Sequence, residues 1–569
     1  MQAKNPRSSE DPARRREAGS PAPGASTWSP LRHVGFRSIW TAWVASNTGI
    51  WMQTVGAAWL ITSLTPSPLL VALMQTATSL PVFLVSLPAG ALADVVDRRR
   101  LLLVTVAWTL LVALALGVLT LAGLMSAWAL LALTFLLGLG GALNAPVWLA
   151  TVPELVDRQE LPAAVALHSA GFNVARAVGP ALGGFVVAAA GPAAVFLLNA
   201  AFSLGVLVVI YRWRRSQASS DAPPEDMLGA TAAGMRYVRH APALQAVLVR
   251  TGVFTLGASA LWALLPVIAR RELGLDATGF GIVLGSLGMG AVGAALLLAH
   301  LQRSLSIDRL TATATLIFVG TTLALAYLRF VPLLIASMVA GGMAWLVMMS
   351  SLTVAVQTAS PAWMRARASS MYLLVFQGLM AAGSLAWGAL AERFGTGAAL
   401  AVAALALVGG LAATWHWPLH MVQRLDLTPS RHWPDPTLAM TPGPEDGPVL
   451  ITVEYRVPAG RASDFVKAMD EMRLFRRREG AVRWGLFRDL ADPDRYLETF
   501  VVPTWAEHMR QHARITVEDQ AIEARAFAFL QEGVAPVATH LIAARAYYGR
   551  TAAELLRAEP SQIPRGTPP

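Results

Sequence analysis

A run of about 20 apolar residues is long enough to cross the roughly 30 Å hydrocarbon core of a bilayer, and this chain contains twelve. They lie near 36–62, 68–93, 100–122, 126–150, 163–190, 192–212, 244–269, 277–301, 305–328, 331–357, 366–392 and 396–417. Hydrocarbon offers the backbone no hydrogen-bond partner, so each run must be helical. Composition points the same way. Of 569 residues, 55% are hydrophobic and 14% are charged, against about 25% charged in soluble domains. The net charge of +10 does not imply nucleic acid, because the basic residues fall in short gaps between apolar runs. The absence of cysteine excludes disulfides, thiolate metal sites and a thiol nucleophile. Residues 1–30 are rich in Pro, Ser, Ala and Arg without an apolar centre, and read as a disordered basic tail rather than a cleaved signal.

The gaps alternate in charge. The even ones hold Asp97, Arg98, Arg99 and Arg100; Arg158; Arg212, Arg214 and Arg215; Arg303 and Arg309; and Arg365 and Arg367. The odd ones are nearly free of Lys and Arg, with Arg270, Arg271, Arg329 and Arg393 as exceptions. Loops rich in Lys and Arg stay in the cytoplasm, so the even gaps and both termini are expected there. The chain also partly repeats itself at an offset near 203. Trp59 meets Trp262, Gly49 meets Gly252, Gly90-Ala91 meets Gly293-Ala294, and "GPALGG" at 179–184 meets "GSLAWG" at 383–388. Two six-helix halves are therefore expected, 31–212 and 244–418, joined by a cytoplasmic linker at 213–243. Transporters built from such repeats bind substrate near the midplane between them.

Arg176 is the sharpest single residue. It lies about 20 Å along the fifth span at 1.5 Å per residue, where a charge costs about 2.5–3.5 kcal/mol on insertion scales. No Asp or Glu is central in any span, so its neutraliser is an anionic substrate, water, or nearby amides, unless it snorkels to an acid at a helix end. Asn47, Trp51 and Thr54 share one face of the first span. Interhelical glue at about 0.6 kcal/mol each is the better reading for most such neutral polar groups; Asn47, Trp51 and Gln357 are the candidates to line a cavity with Arg176. In the turn after the second span, Gly90 and Asp94 share a helix face. Residue types alone make that turn an orientation signal.

Four motifs in order resemble the major facilitator superfamily. G-x-L-A-D with following arginines reads here as Gly90, Leu92, Asp94, Arg98 and Arg99. "GLGGALNAP" (138–146), "PELVDRQELPAA" (153–164) and "NVARAVGPALGG" (173–184) are similar to the branch of siderophore and macrolide exporters called transmembrane secretion effectors. The resemblance implies a cytoplasmic latch of Gly90, Asp94, Arg98 and Arg99 with Glu154 or Asp157. It also implies a pliable fifth helix at Gly179, Pro180, Gly183 and Gly184, and it implies efflux. Val95 and Asp97 depart from the signature, and Thr134 stands where drug–proton antiporters often carry arginine, so the coupling ion, proton or other, stays open. Asp94, Glu154, Asp157 and His168 are the titratable candidates.

After a Pro-rich linker at 419–448 the composition turns soluble. "VLITVEYRV", an amphipathic basic helix at 461–478, "AVRWGLFRDL", "RYLETFVVP", a helical stretch at 504–531 and "VATHLIAAR" give the order β-α-β-β-α-β. Residues 449–547 are similar to the small antibiotic-biosynthesis-monooxygenase domains and are expected to be a ferredoxin-like cytoplasmic domain that dimerises, regulates or senses. Residues 548–569 form a tail. The basic helix, with Arg473, Arg476, Arg477 and Arg478, faces solvent or anionic lipid. His416/His420 and His508/His512 are i,i+4 pairs; Pro418 spoils the first and the second lacks a zincin glutamate, so no metal and no cofactor is expected. The expectation is a twelve-span all-α membrane protein with a small α+β domain. It is a secondary transporter exporting a small amphipathic molecule, anionic if Arg176 pairs with it, and not a nucleic-acid binder or an enzyme. An importer of the same fold, or a membrane-anchored sensor or enzyme working through 449–547, are the alternatives.

Overall fold

The computed structural model describes residues 28–95, 97–151, 155–157, 159–213, 227–419 and 425–543. Among these, long helices occupy all twelve apolar segments. The first half holds α1 (Val34–Leu64), α2 (Pro68–Val95), α3 (Arg98–Leu121), α4 (Ala127–Thr151), α5 (Leu161–Ala190) and α6 (Pro192–Arg212). A shorter helix, α7 (Met227–His240), lies in the segment read as a plain linker. The second half holds α8 (Pro242–Val267), α9 (Ala277–Ser304), α10 (Ile307–Tyr327), α11 (Val331–Thr358), α12 (Arg365–Phe394) and α13 (Thr396–Ala413). Pro68, Pro192 and Pro242 open their helices, where a missing N–H costs nothing. Among the described residues, eleven helices are long and apolar enough to cross a membrane. The exception is α1, which has 31 residues but includes Arg37, Asn47, Thr48, Gln53 and Thr54.

The internal repeat has a backbone signature. Gly191 alone links α5 to α6 with φ +79°, and Gly395 alone links α12 to α13 with φ +87°. Both need the left-handed conformation that glycine adopts without a side-chain clash. The halves meet along two helix pairs, α2 with α12 and α5 with α9. In the second pair the backbones touch. A Cβ on Gly281 would stand 2.7 Å from the Pro180 carbonyl oxygen and 3.0 Å from Gly184 Cα. Without a hydrophobic force between helices in lipid, such close packing is what holds them together.

The C-terminal unit runs β1 (Val449–Arg456), α14 (Ala462–Arg478), β2 (Arg483–Arg488), β3 (Arg495–Val502), α15 (Trp505–Arg514), α16 (Val517–Phe527) and β4 (Val537–Ile542). Its four strands are antiparallel in the order β2-β3-β1-β4. Strand β1 alternates, burying Val449, Ile451, Val453 and Tyr455 in one core with Phe465, Met469, Met472 and Phe475 of α14. The expected single helix at 504–531 is two. Ile515 turns extended, and Thr516 starts α16 with a reciprocal capping box to Asp519. Part of the Pro-rich segment is also not a bare tether. The amides of Ser430, Val517 and Glu518 pair with the carbonyls of Ile515, Thr428 and Asp426 at 2.9–3.0 Å.

The basic helix departs from expectation. Arg476 is 4% exposed, and its guanidinium meets Glu498 at 3.1 Å and Glu523 at 3.3 Å. Tyr455 and Trp484 donate to Glu498, and Trp433 to Glu523. Arg478 pairs with Glu479 and Asp519. These acids come mostly from β3 and α16, so local sequence could not announce them. The unit docks on the membrane bundle at the end that bears the even gaps. Arg236 of α7 meets Glu507 at 3.0 Å, the Arg478 guanidinium lies 5.5 Å from the Tyr237 ring, and that of Arg514 lies 4.1 Å from the Trp363 ring.

Gly281→Val is expected to lower the thermal midpoint of the detergent-solubilised chain, because overpacking costs about 1–3 kcal/mol or more. Tryptophan fluorescence on heating checks this. An unchanged midpoint would contradict the α5–α9 backbone contact.

Candidate functional site

Arg176 is residue 16 of the 30 in α5, about 22 Å from its start. Its guanidinium lies 5.9 Å from the Trp51 ring on α1, a cation–π contact worth about 2 kcal/mol when desolvated. Phe172, one turn earlier on α5, stands edge-on to Trp51 at 6.5 Å. Gly179 makes the stack fit: a Cβ there would come within 2.6 Å of Trp51 Cβ. Asn47 lies one turn before Trp51, half-buried, its amide donating to the Trp43 carbonyl at 2.9 Å. No carboxylate among the described residues pairs with Arg176. The site thus offers a cation, an aromatic wall and an amide.

The "GPALGG" motif lies on two contacts at once. Gly179 and Gly183 face α1, where a Cβ on Gly183 would be 2.7 Å from Met52 Cα. Pro180 and Gly184 face α9. Pro180 lacks the N–H that would bond to the carbonyl four residues back, and that carbonyl belongs to Arg176. It abuts Gly288 of α9, where a Cβ would stand 2.8 Å from the oxygen. The helix stays continuous through Pro180. Gln357 lies elsewhere, exposed in the last turn of α11, and the structure does not bring it against Arg176 and Trp51.

At the even-gap end, the side chains of Gly90 and Asp94, and Glu154 altogether, lie outside the described residues. Asp97 caps α3 by accepting from the Arg100 amide at 2.9 Å. Arg99 donates to the Ile210 and Tyr211 carbonyls at 3.4 and 2.6 Å, at the C-terminal end of α6 where a helix dipole favours cations. Arg98, at the start of α3, is half-buried, and Asp157 is exposed in the α4–α5 turn. Nearby, the Ser29 hydroxyl and the His33 ring, whose Nε2 lies 2.6 Å from the carboxylate, hold the Glu160 carboxyl below its usual range.

At the opposite end a clasp joins the halves that the sequence did not assign. Arg270 donates to the Trp59 carbonyl and Thr62 hydroxyl, both at 3.1 Å, with its guanidinium 4.6 Å from the Trp59 ring. Arg271 donates to the carbonyls of Thr65, at 2.6 Å, and of Pro66. Glu392 of α12 accepts from the Ser67 hydroxyl at 2.8 Å and the Leu69 amide at 3.2 Å. The legible signal was that Arg270 and Arg271 break the charge alternation of the gaps.

Residues 25–547 match the family model described as transmembrane secretion effector. The enterobactin exporter EntS of Salmonella typhi is 26% identical over 343 residues, 60% of this chain and 81% of that protein. The staphyloferrin A transporter of Staphylococcus aureus is 29% identical over 153 residues, 27% of this chain and only 38% of that protein. Among solved structures, the nucleoside transporter NupG covers 68% of this chain and 99% of its own, with TM-score 0.56 and 12% identity, a likeness of fold.

Cysteine at Thr65, which is 8% exposed, is expected to react slowly with a bulky maleimide. Replacing both Arg270 and Arg271 by Ala is expected to speed that reaction at least tenfold, since even one hydrogen bond to a charged group is worth about 1.5–3 kcal/mol. Equal rates would remove the clasp.

Proposed function

The chain belongs to the transmembrane secretion effector family, and from that premise we propose a twelve-span secondary transporter that exports a small amphipathic anion by alternating access. The observation that carries this reading is Arg176, a cation in mid-helix beside an aromatic wall and without a carboxylate partner among the described residues. A bound anion supplies the missing charge where low dielectric makes the pairing strong. The rings of Trp51 and Phe172 take the apolar part of the ligand. Siderophores are the substrate class suggested by the relatives' names, enterobactin and staphyloferrin A.

The arginine-rich even gaps and both termini face the cytoplasm, as the charge rule favours. Asp94, Arg98 and Arg99 with Glu154 and Asp157 close that side, and the Arg270–Arg271 clasp closes the other. The two close in turn as the halves rock on α5–α9 and α2–α12. Gly179, Pro180, Gly183 and Gly184 keep the α5 contacts thin enough to move. Residues 449–547, with the strand order of a ferredoxin-like unit, form a cytoplasmic regulatory or dimerising appendage, not the transport path.

Uptake of enterobactin into inside-out vesicles tests the reading. The full chain is expected to accumulate it, and Arg176→Gln to lose at least tenfold, about 1.4 kcal/mol or more of substrate binding. Asp94→Asn is expected to slow uptake without abolishing binding. A chain ending at 448 is expected to keep part of its activity. Full activity in Arg176→Gln would remove the anion site; complete loss on truncation would favour a role for 449–547 in transport itself.

A further inference from the structure

We propose that His508, His512 and His540 form a binding site for a divalent transition-metal ion of the zinc class. The sequence shows only the first two, one turn apart on α15. The third arrives from β4, where His540 pairs across the sheet with Ile451 of β1. One nitrogen from each ring lies within 4.8 Å of the others, and the ring of His508 is 4.9 Å from that of His512 and 4.8 Å from that of His540. Zinc–nitrogen bonds of about 2.0–2.1 Å in a tetrahedron put ligand atoms about 3.4 Å apart. The rings therefore close on an ion by about an ångström, a modest turn of side chains already gathered.

The hydrogen bonds around His508 set its tautomer. The Gln511 amide nitrogen donates to the Glu479 carbonyl at 3.2 Å, which turns the Gln511 amide oxygen toward His508 Nδ1, 3.1 Å away. Nδ1 is then the donor, and Nε2 carries the lone pair. That Nε2 is buried in a residue 1% exposed and has no hydrogen-bond partner. This is the second-shell arrangement that orients metal-ligating histidines, whose other ring nitrogen is held by an oxygen. His512 Nδ1 is likewise buried and unpartnered. A cluster serving only as packing leaves both nitrogens orphaned, a standing cost that an ion removes.

The surroundings suit a cation. Trp433 lies 5.1 Å from the His512 ring, and Trp505 lies 5.4 Å from His508 and 6.2 Å from His540, so apolar walls limit water. The nearby Arg476 is offset by Glu498 and Glu523. Three neutral imidazoles leave a fourth position to water or a small ligand, and imidazole sets favour zinc, copper, cobalt and nickel over magnesium or calcium. The same helix α15 carries Glu507 to Arg236 and Arg514 to Trp363, so the site adjoins the docking contact with the membrane bundle.

The test uses the full chain in detergent, any affinity tag removed, stripped with chelator and titrated with Co2+ followed by Zn2+. The expected result is one Co2+ per chain with visible ligand-field bands of a four-coordinate ion, displaced by Zn2+. His540→Gln, at a half-buried position, and His512→Gln are each expected to weaken binding about tenfold or more while the protein elutes as a single species. His300→Gln, at the far end of α9, is expected to change nothing. Absence of stoichiometric binding, or equal affinity in His540→Gln, His512→Gln and the unaltered chain, would overturn the proposal.

Discussion

Two backbones can touch only where side chains vanish, and this molecule depends on that contact between α5 and α9. Gly184, Gly281 and Gly288 remove the atoms that would hold the halves apart. The same helix uses Gly179 and Gly183 to approach α1 on its other side. Helix α5 is thus packed against its own half and against the opposite one by alternating small residues. In lipid, where apolar burial gives helices no net attraction, such interfaces rest on van der Waals packing. A thin contact of this kind lets one body roll on another without large side chains having to unlock.

That crossing also fixes the chemistry. Pro180 frees the carbonyl of Arg176, and Gly179 lets Trp51 come under the arginine's guanidinium. The motif that joins the halves therefore also builds the polar centre, one helical turn away. A cation at this depth costs several kcal/mol unless compensated, and the contact with Trp51 offsets only part of that. No carboxylate among the described residues supplies the rest, which is why the proposed anion site is placed at this arginine.

Much of this was legible, for a physical reason in each case. Apolar runs of bilayer length can form nothing but helices, so the twelve segments declared themselves. Arg176 stood out because charge in a span is costly, and Trp51 because it shares a helix face with Asn47. The α+β order followed from the alternation of β1 and the amphipathic α14. What stayed hidden depended on partners distant in sequence. Arg270 and Arg271 looked like exceptions to a charge count until their carbonyl acceptors, some 205 residues away, came into place. Arg476 read as surface because Glu498 and Glu523 lie on other elements. Gln357 read as a cavity residue by composition, yet its place in the last turn of α11 keeps it from the arginine. Helix α7 was missed because a short amphipathic segment gives no apolar run, and its order comes from docking on α14.

We propose that the two halves rock about the α5–α9 crossing, so that the ends of the bundle open in turn. The chain has no cysteine, so paired spin labels can be introduced at will. Labels at Leu124 and Phe330 report the odd-gap end across the halves, and labels at Arg100 and Ser304 the even-gap end; all four positions are exposed. Distance distributions measured with and without substrate and an ion gradient are predicted to shift in opposite directions at the two ends. Separations that stay fixed at both ends under every condition would contradict the account.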